Sequence, residues 1–275
     1  MRLDKPIGTL LLLWPTLSSF FILKKGAPSL ELISIFCVGT FLMRSAGCII
    51  NDYFDKDFDG RVKRTRSRPL VTGKVKPNEA LALFFVLISI SASLLIWTNK
   101  LTFLVAFIGL LVACFYPLSK RFFSLPQIFL GLAFSWGVVM VSAAELERIS
   151  STSLIIFAAC FCWVIAYDTA YAMTDKDDDM SIGINSSAIT FGKFTQKAIL
   201  GFHFLSLFLW SLCGYLENLN NVFYLSIFTY LIFIYFQFKL IKDGDREKCF
   251  LAFKRNNWIG VTIFLGSILG TISLN

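Results

Sequence analysis

The sequence predicts an all-α, polytopic membrane protein with nine transmembrane helices. The first observation is composition, since the 275 residues are 56% hydrophobic and only 16% charged, whereas about a quarter of the residues of a soluble domain are charged. The second is length, because nine windows of about 18 or more mostly apolar residues, enough to cross the hydrocarbon core, follow one another along the chain. The connections are short, so we expect one integral membrane domain over residues 1–275.

The apolar windows give the order of the predicted helices. The first window follows Arg2 and Lys5, as a signal sequence would, but no small-x-small cleavage site comes after it and the segment KKGAPS is typical of a loop. We therefore count it as a span. The nine predicted spans are residues 6–23, 30–50, 79–97, 101–119, 122–144, 151–172, 197–216, 221–241 and 256–274.

The distribution of basic residues predicts the topology. With a cytoplasmic N-terminus, 21 of the 26 Lys and Arg residues fall on the cytoplasmic side and four on the other, while Arg44 lies within a span. This bias follows the positive-inside rule. We therefore expect a cell inner membrane protein whose N-terminus and active site face the cytoplasm. The formal net charge of +8 then reflects topology and contact with anionic membrane lipid, and it does not indicate nucleic acid as a partner.

The cysteines and the single histidine do not predict a site. Most of the seven cysteines lie in apolar runs without the spacing of metal ligands, which favours packed thiols. His203 lies between Phe202 and Phe204, where a packing role is expected, and one histidine cannot build a histidine-based metal centre. The sequence also has no Gly-rich phosphate loop.

Two acidic segments carry the functional signal. The stretch GCIINDYFDKDFDGRVKRTRSRPL, residues 47–70, follows an apolar span, and the stretch YDTAYAMTDKDDD, residues 167–179, repeats its four-residue aspartate spacing 120 positions later. Residues four apart share one face of a helix. The first predicted polar stripe is Asn51, Asp55 and Asp59, and the second is Asp168, Tyr171, Asp175 and Asp179. We expect Asp57, Asp177 and Asp178 to point away from the stripes towards water.

Charge placement argues against simple helix capping by these carboxylates. Both segments lie at helix C-termini, where the macrodipole disfavours anions, and facing carboxylates raise one another's pKa values. A hard divalent cation removes both problems, and magnesium typically binds one or two carboxylates together with phosphate oxygens and water. We therefore interpret the two segments as a magnesium–diphosphate site, with solvated helix ends as the alternative.

Basic residues supply possible phosphate contacts. Arg44 lies inside an apolar span, seven residues before Asn51, and an intramembrane arginine that can grip phosphate oxygens is a functional candidate. Lys5, Lys120 and Arg121 reach the same membrane face from other predicted helices. For the basic loop RVKRTRSRP, residues 61–69, a diphosphate cover and a solvent-facing charge run both remain open.

At these residues the sequence resembles the UbiA-type intramembrane prenyltransferases. The family motif N-D-x-x-D-x-x-x-D is matched from Asn51 to Asp59, and the Tyr-Asp block with a following D-x-x-x-D is matched by Tyr167, Asp168, Asp175 and Asp179. The stretches MRLDKPIGTLLLLWPT and YPLSKRFFSLPQIFLGLAFSWG add to the likeness, which covers residues 1 to about 200. Within the family, the chain is most similar to the 4-hydroxybenzoate polyprenyltransferases of ubiquinone biosynthesis.

The resemblance implies a nine-helix bundle with a central cavity that opens sideways to lipid, and Mg²⁺ as cofactor. It implies transfer of a polyprenyl group from a polyprenyl diphosphate to the ring carbon of 4-hydroxybenzoate ortho to the hydroxyl. Metal ligation is implied for Asp55 and Asp59 on one ion and for Asp175 and Asp179 on another. Substrate contacts are implied for Lys5, Arg44, Asn51, Lys120, Asp168 and Tyr171, with Arg121 as the candidate for the aromatic carboxylate and Asp175 for orienting the phenol.

Other functions remain open on the sequence. Family members with a naphthoate, haem or glycerol phosphate acceptor are excluded only by resemblance. An ion transporter could also carry carboxylates in a helix bundle. That function predicts acidic groups near the bilayer midplane and broken helices, whereas the aspartates here follow their apolar spans.

Overall fold

A computed structural model describes residues 4–62 and 64–272 of the chain. Of the basic residues used for the topology prediction, Arg2 and Lys63 lie outside this described part, as do the last residues of the ninth predicted span. The described residues form helices and no strands, which confirms the all-α prediction. The helices are α1 (Ile7–Leu23), α2 (Leu30–Asp59), α3 (Pro77–Ser93), α4 (Lys100–Ser119), α5 (Gln127–Leu146), α6 (Ser151–Ile182), α7 (Ser187–Thr190), α8 (Thr195–Leu216), α9 (Asn221–Ile241) and α10 (Arg246–Thr271).

The predicted number of spans is not confirmed. Among the described residues, seven helices are long and apolar enough to cross a membrane, namely α2, α3 together with the 3-10 helix Leu94–Trp97 that continues it, α4, α5, α6, α8 and α9. Helix α1 is apolar but has only 17 residues. Helix α10 is long, but its first ten residues include Arg246, Glu247, Lys248, Lys254 and Arg255.

Two helices extend well beyond their predicted apolar spans, and this extension places the acidic segments on regular helix. Helix α2 has 30 residues and continues to Asp59, and α6 has 32 residues and continues to Ile182. Gly183 ends α6 in the left-handed conformation at φ 72°, and its N–H donates to the Asp179 carbonyl. A glycine adopts this conformation at a helix end without the steric cost of a Cβ atom. The stripe aspartates of α2 therefore share one helical face, and those of α6 share a face of their own helix, as the spacing predicts.

The predicted span 122–144 starts too early. Residues 120–125 form turns after α4, in which the N–H groups of Phe122 and Phe123 donate to the Ser119 carbonyl. Pro126 then precedes the first residue of α5, a place where a residue without an N–H group is tolerated. Hydropathy alone could not separate this apolar turn from the helix that follows it.

The buried apolar residues form several clusters, and two of these clusters lie on either side of a cavity. The largest buried apolar cluster joins α6 to α1, α5, α8, α9 and α10 and includes Trp163, Tyr167, Phe223 and Tyr230. A Cβ atom at Gly260 would lie 2.4 Å from Cδ1 of Trp14, so a glycine there lets α10 approach α1 closely. On the other side, a smaller cluster joins α2 to α3. The cavity lies between these two regions.

Candidate active site

A cavity of about 900 Å³ runs into the bundle from the end where α2 and α6 carry their aspartates. Its interior is mainly apolar, with side chains such as Leu110, Leu130 and Met140. Its mouth is polar and charged. The charged and polar lining residues include Lys5, Arg44, Asn51, Asp52, Arg64, Arg68, Lys120, Asp168 and Tyr171.

The α2 side of the mouth is a hydrogen-bonded cluster around Asp55. This carboxylate is only 8% exposed and accepts a hydrogen bond from Asn51 Nδ2 at 3.0 Å. Lys120, directly after α4, places its Nζ atom 3.0 Å from Asp55 Oδ2 and 3.3 Å from Asn51 Oδ1. Partial burial opposes the charge on Lys120, but Tyr116 and Asp55 outweigh it and raise the lysine pKa above its ordinary value. Asn51 and Asp55 of the first predicted stripe therefore contact Lys120, one of the predicted phosphate-binding residues.

The basic loop contributes a second cation to the α2 side. Arg68 forms ion pairs with Asp59 and, at 3.2 Å, with Asp52. The loop is tied to the end of α2 because Thr65 Oγ1 donates to the Asp59 carbonyl at 2.8 Å. Arg68 was not singled out from the sequence, where it was one arginine among several in RVKRTRSRP.

The same loop reaches across to α6. Arg64 Nε lies 3.2 and 3.1 Å from the two carboxylate oxygens of Asp175, and its Nη2 lies 2.5 Å from Oδ2. Its guanidinium carbon is 4.8 Å from the centre of the Tyr171 ring. Partial burial would lower the Arg64 pKa, yet Tyr171 and Asp175 raise it above its ordinary value. Arg64 and Arg68 of this loop therefore contact the two acidic segments, and a diphosphate cover stays a prediction.

The remaining α6 aspartates have different surroundings. Asp179 is partly exposed near the end of the helix, and Asp177 is exposed as expected. Asp178 does not simply face water, because its Oδ2 pairs with Arg246 Nη2 at 2.7 Å. Arg246 Nε also donates to the Thr174 carbonyl at 2.5 Å. This arginine anchors the end of α6 to the start of α10.

Arg44 lies deeper than the aspartates, about 10 Å along α2 from Asn51. Its Nη1 donates to Cys48 Sγ at 2.7 Å, and its guanidinium carbon lies 5.8 Å from the centre of the Phe134 ring. Within residues 4–62 and 64–272, its buried Nε atom has no hydrogen-bond partner. Gly8 of α1 makes room for this side chain, because a Cβ atom there would lie 2.5 Å from Arg44 Nε. Arg44 thus lines the cavity, while its unpaired Nε is buried against Gly8.

Two other predicted substrate residues differ in where they lie. Lys5 is exposed and lines the mouth of the cavity. Arg121 is also exposed, but it is not among the described residues that line the cavity, and its Nη2 donates to the Phe54 carbonyl at 2.8 Å. Its predicted contact with the aromatic carboxylate therefore requires a different side-chain position and stays a prediction.

The donor set at the mouth fits a hard divalent cation. Asp55, Asp59 and Asp175 offer carboxylate oxygens, and all three are less than 10% exposed. Among the described residues they do not line the cavity themselves but pair with Lys120, Arg68 and Arg64, which do. Among the described residues, no three acidic, histidine or cysteine side chains are close enough together to hold a metal as they stand. Magnesium needs only one or two carboxylates when phosphate oxygens and water complete its octahedron. The carboxylates on α2 and α6 therefore suit a magnesium–diphosphate complex better than a metal held by protein alone.

Comparison with known proteins gives relatives of similar length. A protein from Aeromonas hydrophila subsp. hydrophila named 4-hydroxybenzoate octaprenyltransferase is 47% identical over 268 residues, which cover 98% of this chain and 93% of that protein. The apo structure of a UbiA homolog from Aeropyrum pernix K1 superposes with a TM-score of 0.82 at 25% identity, covering 99% of this chain and 100% of that one.

A further solved structure shares the fold and contains ligands. It is a UbiA homolog from Archaeoglobus fulgidus bound to GPP and Mg²⁺, with a TM-score of 0.75 at 18% identity over 97% of this chain and 98% of that one. A sequence model of the UbiA prenyltransferase family matches residues 12–265. With that match and the near full-length relatives, the chain belongs to the UbiA prenyltransferase family.

Proposed function

We propose that this protein transfers a polyprenyl group from an allylic polyprenyl diphosphate to the ring carbon of 4-hydroxybenzoate ortho to its hydroxyl, releasing diphosphate. The observation that carries this proposal is a single cavity that joins a mouth of carboxylates and cations to an apolar interior. Such a site suits a donor with a charged head and an isoprenoid tail. The 47% identical relative named 4-hydroxybenzoate octaprenyltransferase supports the choice of acceptor.

The charged mouth would bind the diphosphate. Asp55 and Asp59 on α2, with Asp175 and Asp179 on α6, are the proposed magnesium ligands. Arg64, Arg68 and Lys120 form ion pairs with Asp175, Asp59 and Asp55, and guanidinium and ammonium groups also bind phosphate oxygens. With magnesium held by the carboxylates, these cations would be free to bind the phosphate oxygens of the donor. Lys5 and Asn51 line the same mouth and are further proposed contacts.

Ionisation of the donor is the proposed chemical step. Bound magnesium would neutralise the leaving diphosphate as the allylic C–O bond breaks. Lys120, Arg64 and Arg68 are placed to stabilise the same developing charge. The apolar lining excludes water, which would otherwise capture the allylic cation before the aromatic ring attacks it. Loss of the ring proton then restores aromaticity.

Arg44 is the proposed anchor for the carboxylate of the aromatic acid. The sequence suggested Arg121 for this role and Arg44 for the diphosphate. In the structure Arg44 lines the cavity below the diphosphate mouth, whereas Arg121 lies outside the lining among the described residues. A carboxylate bound by Arg44 would set the phenol end of the acceptor towards the mouth. Asp168 and Tyr171 also line the cavity. Asp175 remains a proposed contact for orienting the phenol.

The membrane setting follows from the apolar helices, and we propose the cell inner membrane with the charged mouth on the cytoplasmic side.

The deciding experiment supplies purified protein in lipid with geranyl or octaprenyl diphosphate and with 4-hydroxybenzoate or a naphthoate acceptor. Product masses are then determined with magnesium and after chelation. We expect prenylated 4-hydroxybenzoate only with magnesium. Product from the naphthoate alone would assign another acceptor, and no adduct under any condition would contradict a transferase.

A further inference from the structure

The apolar part of the cavity follows one face of α2. From Asn51 at the mouth, Gly47 lies one helical turn deeper and Gly39 three turns deeper, about 6 and 18 Å along the axis. Both glycines line the cavity. Leu94 and Phe103 also line it, and Leu94 Cδ1 lies 3.9 Å from a Cβ atom built on Gly39. A tail anchored by its diphosphate at the mouth would pass these glycines in order.

Three other glycines that line the cavity have a packing reason. A Cβ atom at Gly8 would lie 2.5 Å from Arg44 Nε. At Gly109 it would lie 2.4 Å from Cδ1 of Trp136, and at Gly137 it would lie 2.4 Å from Oγ1 of Thr16. Real Cβ atoms do not approach other atoms so closely, so the neighbouring side chains require glycine at these positions.

Gly39 and Gly47 have no such neighbours. Among the described residues, no heavy atom lies within 4 Å of a Cβ atom built on Gly47, and only Leu94 Cδ1, at 3.9 Å, lies near one built on Gly39. Glycine is a poor helix former, and neither residue has a positive φ that would favour it. What these two positions provide is open space on the cavity face of α2.

We propose that Gly39 and Gly47 keep the isoprenoid channel open along α2, and that Gly39 determines how long a polyprenyl tail the cavity accepts. This inference rests on the proposed function. Every donor must pass Gly47, which lies next to the mouth, whereas only a longer tail extends to Gly39. A side chain added at Gly39 therefore discriminates against long donors.

The test is Gly39→Leu, measured with 4-hydroxybenzoate and with geranyl and octaprenyl diphosphate as alternative donors. We expect the ratio of kcat/KM for the octaprenyl donor to kcat/KM for the geranyl donor to fall about tenfold or more, because the added side chain overfills the channel only where the long tail runs. Gly201→Leu is the matched control. Gly201 is also helical with no described atom within 4 Å of a built Cβ, but it lies exposed on α8 and does not line the cavity. Its ratio should equal that of the wild type.

Two outcomes would overturn the inference. One is an unchanged ratio in Gly39→Leu, and the other is equal loss with both donors in a variant that unfolds at the wild-type temperature. If Gly39→Leu does not fold, Leu94→Phe adds bulk at the side chain next to the Gly39 position, and an unchanged ratio there overturns the inference as well. Failure of the proposed function is separate, because wild-type protein would then prenylate 4-hydroxybenzoate with neither donor.

Discussion

Helices α2 and α6 bring the same aspartate spacing to one mouth of the cavity, but their carboxylates are neutralised differently. On α2, Asp55 is held by Lys120 at the end of α4, and Arg68 of the loop holds its neighbour Asp59. On α6, the ion pair that Asp175 forms among the described residues is with the loop, through Arg64. The loop is therefore shared by both acidic segments. The difference indicates that the α2 half takes one cation from the residue that follows α4, whereas the α6 half depends on a loop that can exchange carboxylate for diphosphate.

The largest effect on turnover is expected at Asp175, the α6 carboxylate that pairs with the loop. Asp175→Asn removes a magnesium ligand and should lower turnover by about 10²-fold or more, since a group that acts on the developing charge is lost. Turnover is measured from the mass of prenylated product, and folding from thermal unfolding. Asp177→Asn, at an exposed neighbour on the same helix, should behave as wild type. Full activity of Asp175→Asn would remove α6 from the mechanism.

The loop arginines give the next largest effect. Arg64→Gln and Arg68→Gln should each weaken binding of inorganic pyrophosphate with magnesium by about ten- to hundredfold, because each removes a charge-assisted contact. Isothermal titration calorimetry measures this affinity directly. Arg66→Gln is the control, since Arg66 lies in the same loop and is exposed. If all three variants bind pyrophosphate with magnesium as tightly as the wild type does, the loop shields the carboxylates without binding the substrate.

The two helices also differ deeper in the cavity. There α2 carries the cation Arg44, whereas α6 carries Asp168, seven residues before Asp175. Arg44→Ala should raise the KM for 4-hydroxybenzoate by about tenfold, as expected for loss of an ion pair in an apolar site, and should change the KM for the donor less. Steady-state kinetics with each substrate varied in turn separates the two. Arg121→Ala provides the comparison, and a larger acceptor effect there would restore Arg121 as the carboxylate contact.

The smallest effect is expected at the outer anchor of α6. Arg246→Ala removes the ion pair between Arg246 and Asp178. The Arg246 side chain is 39% exposed. Partly exposed pairs contribute about 0 to 1 kcal/mol, so the thermal unfolding temperature should fall only slightly and turnover should be retained. Loss of turnover without loss of stability would show that the position of α6 depends on this contact.

Much of the site was predictable because it depends on local periodicity. The hydrogen bond between Asn51 and Asp55 joins residues one turn apart, and residues four apart on any α-helix share a face. The spacing therefore predicted the stripe once α2 was expected to continue beyond the apolar span. The roles of Arg64 and Arg68 were not predictable, because a run of five basic residues between 61 and 68 does not reveal which side chains point inward.

The sequence by itself determined the class of molecule, the acidic segments and the family motifs, since hydropathy, helical periodicity and residue spacing are properties of neighbouring residues. The tertiary structure decided which groups meet. Arg64 finds Asp175 across 111 positions of sequence, Arg121 turns to the Phe54 carbonyl away from the cavity lining, and Gly39 faces open space where Gly137 faces Thr16. Such pairings depend on how helices distant in sequence pack against one another, which local patterns do not specify.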